Sequence, residues 1–114
     1  MMKIKIAGST LLCLFLSMPS WAGPEEVEKG KDVVYTRTKG NCISCHMMPG
    51  GNLPGNYGPP LLQMKARYPN PDDLYQQIYD ARTKNAQTIM PPFGAHKMLT
   101  EEEIHWLVEY LYTL

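Results

Sequence analysis

The pattern of apolar and polar positions changes character along this 114-residue chain, and each change marks a part of it. It opens with an unbroken apolar block, Leu11-Leu12-Cys13-Leu14-Phe15-Leu16, which follows Lys3 and Lys5 and leads to Ser20-Trp21-Ala22. A basic start, a short apolar centre and small residues before a cut after Ala22 read as a secretory leader over residues 1–22. The block is shorter than the ~20 residues that cross a bilayer, so no stable membrane insertion is expected. Cys13 follows Leu12, where a lipoprotein leader carries a small residue, so no lipid anchor is expected either.

Beyond the leader the apolar period becomes helical. Glu25–Tyr35 carries acids in its first turn and lysines later, which predicts a helix with Val27, Val34 and Tyr35 as its buried stripe. Gly30 in its middle costs about 1 kcal/mol against Ala, which predicts a second helix crossing closely there. Leu61–Tyr68 predicts a short helical turn. Asn70-Pro71-Asp72-Asp73 is a helix start, and Leu74, Ile78 and Ala81 extend that helix to about Arg82. Thr100 and Glu103 form a capping box ahead of the stripe Ile104, Leu107, Val108 and Leu111, with Met98 read as the apolar residue before the cap. Between these elements lie polar or Gly/Pro-rich connections: Thr36–Asn41, Met47–Pro60, Thr83–Thr88 and the stiff Met90-Pro91-Pro92. The predicted fold class is all-α, with about four helices and long Gly/Pro-rich loops in one domain over residues 23–114.

Charge and cysteine content narrow the classes. Without Lys3 and Lys5 the chain holds 9 basic and 11 acidic residues, which argues against a nucleic-acid partner or a polybasic membrane contact. Taking the 22-residue leader from 114 leaves 92 residues, enough for one domain but a marginal core. Only Cys42 and Cys45 remain beyond the leader, so no disulfide framework supports that core.

Those two cysteines stand in Cys42-Ile43-Ser44-Cys45-His46, the C-x-x-C-H spacing by which two thiols bond covalently to a haem while the histidine ligates its iron. A thioredoxin-type site would need a βαβ context and a zinc site two further close ligands, and neither pattern is present. One covalent haem c would consume both thiols and add apolar bulk to the core. The Gly/Pro-rich loop after His46 is expected to wrap the proximal side and offer a backbone carbonyl to the free imidazole nitrogen. A second axial ligand must come from Met47, Met48, Met64, Met90, Met98, His96 or His105. Met47 and Met48 are tied to the His46 side, and His105 falls on the polar face beside Glu101 and Glu109. Met90 is the expected ligand because a weak thioether stays bound only where a rigid loop holds it, with Met64 or Met98 as the alternatives. His/Met ligation gives a closed, low-spin iron suited to electron transfer and speaks against a gas sensor, which needs an open iron face.

The pattern as a whole resembles class I cytochrome c: Gly30 in the first helix, C-I-S-C-H, Gly58-Pro59-Pro60-Leu61, the Met90 loop and an aromatic last helix. That resemblance implies that Pro59 offers its carbonyl to His46, and that Trp106 and Tyr110 form the face crossing the Gly30 helix. More narrowly, K-G-N-C-I-S-C-H, P-G-G-N-L-P-G-N-Y-G-P-P-L, R-Y-P-N-P, T-I-M-P-P-F-G and E-Y-L-Y-T-L are similar to the SoxX family. This likeness implies a periplasmic electron-accepting subunit of a SoxAX thiosulfate-oxidising complex. A catalytic SoxA-type partner, dihaem or monohaem, would join thiosulfate to a sulfur-carrier protein, and a downstream cytochrome would take the electrons. The alternative is a free-standing soluble cytochrome c shuttle.

Overall fold

A computed structural model describes residues 23–114; the leader, its cut after Ala22 and Cys13 lie outside the described residues. Helix α1 (Pro24–Tyr35) crosses the last helix, α4 (Glu101–Leu111), at Gly30. A side chain at Gly30 would overlap the Trp106 carbonyl and sit 2.8 Å from Tyr110 Cβ, so the predicted close crossing is present. Pro24 opens α1, and the Glu26 carboxylate accepts from the Gly23 N–H at 3.2 Å. The buried stripe keeps the expected Val34 and adds Val33, with Val27 and Tyr35 packed against its edge. Val33 and Val34 are fully buried, whereas Val27 and Tyr35 are only partly so, because the crossing point at Gly30 turns the Gly30–Val33–Val34 face inward.

Helix α2 (Met64–Arg67) is a single turn whose Met64 N–H donates to the Leu114 carbonyl at 3.3 Å. Helix α3 (Pro71–Tyr79) starts as expected, with the Asn70 side chain accepting from the Asp72 N–H at 3.1 Å. It ends three residues before Arg82. Asp80 is extended, and its carboxylate accepts from the Arg82 N–H at 3.1 Å, starting a separate 3-10 turn at Ala81–Thr83. The Tyr79 carbonyl is taken by the Gly94 and Ala95 N–H groups at 3.0 and 3.1 Å, which competes with continuation of the helix. Ala81 is nevertheless fully buried, with Leu74 and Ile78 beside it in the core.

At α4, Thr100 Oγ1 accepts from the Glu103 N–H at 3.1 Å and the Glu103 carboxylate from the Thr100 N–H at 3.0 Å. The apolar residue packed ahead of this cap is Leu99, 4% exposed; Met98, expected there, is 50% exposed. Leu99 and Ile104 occupy the positions of a hydrophobic staple. Four α-helices and no strand occur among the described residues, as the all-α expectation requires. None of these helices is long and apolar enough to cross a membrane.

Candidate haem site

The cysteine motif begins at Asn41, which adopts the left-handed conformation (φ 47°) that asparagine tolerates better than most residues. A 3-10 turn at Cys42–Ser44 follows, and the Cys45 and His46 N–H groups both donate to the Cys42 carbonyl, at 3.2 and 2.9 Å. The Gly/Pro-rich loop then folds back along this turn. The Gly55 N–H donates to the Ile43 carbonyl at 2.9 Å, the Gly58 N–H to Cys45 at 2.8 Å and the Leu61 N–H to Met47 at 2.8 Å. These rungs explain how a stretch without regular structure holds one shape.

Both thiols are free and partly exposed. Atoms packed around Cys42 push its thiol up to about 12, so it is protonated at neutral pH, unlike the activated thiols of redox or nucleophilic sites. Among the described residues no cluster of three or more His, Cys, Asp or Glu could hold a metal ion.

The His46 ring is fixed from two sides. Its Nδ1 lies 2.7 Å from the Pro59 carbonyl oxygen, and since a carbonyl only accepts, Nδ1 carries the proton and Nε2 keeps its lone pair. The other side is Gly58, where a Cβ would stand 2.5 Å from Nδ1 and 2.7 Å from Nε2. Arg67 Nη1 donates to the next carbonyl, that of Pro60, at 2.7 Å and bolts the loop to α2. Arg67 opens the R-Y-P-N-P segment, but its contact with the Pro60 carbonyl seven residues earlier is visible only in the structure.

Cys42, Cys45, His46 and Pro59 line one cavity of about 430 Å³. Leu74 and Ile78 of α3, Leu107 and Leu111 of α4, and the Met90-Pro91 segment form an apolar part of its wall, while Arg37, Lys39 and Arg67 also reach it. A cavity of that size falls in the ~300–1,000 Å³ range of small-molecule and cofactor sites. Two thiols, an imidazole with a free Nε2 and a thioether around apolar walls are the donor set that a c-type haem uses.

Of the candidate second ligands, Met64, Met90 and Met98 line this cavity and Met47 and Met48 do not. Met64 is fully buried with its sulfur 3.5 Å from Arg67 Nη1, and Met98 is half exposed. Met90 is partly buried, and its N–H donates to Thr88 Oγ1 at 3.2 Å. His96 stands beside Arg82 at 3.5 Å and His105 against the Tyr75 ring at 4.7 Å, both away from the cavity.

Helices and a folded Gly/Pro-rich loop around such a cavity define a small c-type cytochrome domain of class I. A profile of the family described as "Cytochrome C oxidase, cbb3-type, subunit III" matches residues 25–111, and the chain belongs to that family. It is a haem c-binding electron-transfer cytochrome. A crystal structure titled SoxXA from P. pantotrophus has the same fold, with a TM-score of 0.67 and 25% identity over 75% of this chain and 79% of that one. An uncharacterized lipoprotein of Aquifex aeolicus (strain VF5) is 37% identical over 75 residues, which is 65% of this chain. This chain spans only 36% of that relative's length.

Proposed function

We propose that this chain holds one haem c through thioethers to Cys42 and Cys45, with His46 Nε2 and Met90 Sδ as axial ligands. The observation that carries this reading is the convergence of those four side chains on one cavity, with His46 already held by the Pro59 carbonyl. Haem so ligated supplies a one-electron couple of raised potential. The chain's own residues do the rest. Pro59 and Gly58 fix the imidazole plane, the Met90-Pro91-Pro92 segment holds the weak thioether in place, and Leu74, Ile78, Leu107 and Leu111 exclude water.

Within that reading the chain is the electron-accepting subunit of a periplasmic SoxAX-type complex, bound to a catalytic SoxA-type partner. The likeness to the SoxXA structure and the SoxX-like segments support this assignment. Joining thiosulfate to a carrier thiol forms one S–S bond and releases two electrons and a proton. A chain with one haem passes those electrons on singly to a downstream cytochrome. With both thiols bonded, no nucleophile is left here to receive sulfur, so the chain alone is not catalytic.

The test mixes the haem-loaded chain with its SoxA-type partner, the carrier protein and thiosulfate, following haem absorbance and carrier mass together. The expected result is haem reduction in step with carrier thiosulfonation, and neither without the partner. Thiosulfonation by this chain alone would contradict the proposal, and failure to bind any such partner would favour the free-standing shuttle.

A further inference from the structure

We infer that Gln77 is a positioning residue for Met90, its side-chain amide donating to the Met90 sulfur and drawing electron density from it. The inference rests on the reading of Met90 as an iron ligand. Helix α3 presents Leu74, Gln77 and Ile78 to the cavity. Leu74 and Ile78 are 2% and 4% exposed, so the partly buried Gln77 amide is the polar exception among the three side chains α3 gives to the cavity. An amide facing such a cavity without a partner is costly. The partner available is Met90, whose Sδ lies 4.0 Å from Gln77 Nε2, the outer reach of an N–H···S contact.

The sulfur is held from a second direction. Its backbone N–H is tied to Thr88 Oγ1 at 3.2 Å and is followed by two prolines, so the residue is fixed at the main chain and, through Gln77, at the side chain. A thioether sulfur carries two lone pairs, one for an N–H donor and one for a metal. Met64 provides the contrast. Its sulfur faces the charged Arg67 guanidinium at 3.5 Å, which weakens it as a donor, whereas the neutral amide of Gln77 leaves Met90 the better ligand. A donor on the ligating sulfur disfavours the oxidised, more electron-poor iron, and so raises the potential.

The test compares haem-loaded wild type with Gln77→Leu, which fills the same space without a donor, and Gln77→Glu, which keeps the shape but offers only acceptor oxygens at neutral pH. Both variants are expected to keep their haem and the sulfur-to-iron charge-transfer band, with the band displaced. Their reduced-to-oxidised ratio at fixed poise should fall several-fold, up to about tenfold, which is 59 mV for one electron. Wild-type potential and band position in Gln77→Leu would overturn the inference, and if that variant does not fold, the neutral Gln77→Met, which also lacks a donor, decides, since the charge of Gln77→Glu lowers the potential by itself. Met90→Ala separates the two levels: a band that survives that change refutes the ligation itself, independently of Gln77.

Discussion

At the residue scale, the imidazole is set by a backbone carbonyl and the absence of one side chain. Gly58 leaves the space that the His46 ring fills, so a methyl group there must displace either the ring or the loop. Gly58→Ala is expected to break the His46–Pro59 hydrogen bond and to destabilise the protein by about 1–3 kcal/mol, the usual range for overpacking. Thermal unfolding and the His46 Nδ1–H resonance in NMR spectra check this; an unchanged resonance would show that the ring is held by other means. The cysteines and His46 were legible because their chemistry depends on spacing alone. Gln77 shares the helix face of Leu74 and Ile78 by spacing, but its role was not legible, because nothing in the sequence shows that the Met90 loop lies against that face. Met98 was misplaced by one position for a related reason: which of two adjacent apolar residues turns inward depends on the path into Thr100.

At the element scale, α4 is anchored by reciprocal capping at Thr100 and Glu103. Thr100→Ala is expected to cost about 1 kcal/mol, visible as a fall in melting temperature of several degrees, and no change in Tm would contradict that role. The Glu103 carboxyl sits below its ordinary 4.5, chiefly because it accepts the Thr100 backbone N–H, with Lys39 at 3.1 Å adding to the effect. A carboxyl lowered in the folded state contributes stability above 4.5 that disappears as pH falls through its lowered value. The stability gap between wild type and Glu103→Gln should therefore be present at neutral pH and close in acid, as melts across that range would show; a gap independent of pH would argue against it. This helix was readable in advance because a capping box is local. The end of α3 was not, because it depends on Asp80 turning to the Arg82 N–H and on a distant pair, Gly94 and Ala95, claiming the Tyr79 carbonyl.

At the scale of the whole molecule, the helices surround a cavity rather than a filled centre. The core residues Val33, Val34, Met64, Ile104 and Leu107 are fully buried, yet Leu74, Ile78, Leu107 and Leu111 also face the cavity and need a partner within it. Among the described residues Cys42 and Cys45 are free, so no disulfide braces these walls, and the haem supplies the apolar bulk between them. Replacing Cys42 and Cys45 together with alanine should leave a largely disordered chain, with a cooperative, native-like thermal transition as the contrary result. The all-helical plan and the Gly30 crossing were legible from periodicity and one misplaced-looking glycine. The cavity itself was not, because its walls are contributed by segments far apart in sequence.

The proposed ligation of the iron by Met90 as well as His46 is tested most directly by the oxidised absorption spectrum of Met90→Ala. The variant should keep its haem mass, through Cys42 and Cys45, and lose the sulfur-to-iron charge-transfer band. Persistence of that band in Met90→Ala, with its loss in Met64→Leu or Met98→Leu instead, would rule out Met90 and move the ligand to another methionine of the same cavity.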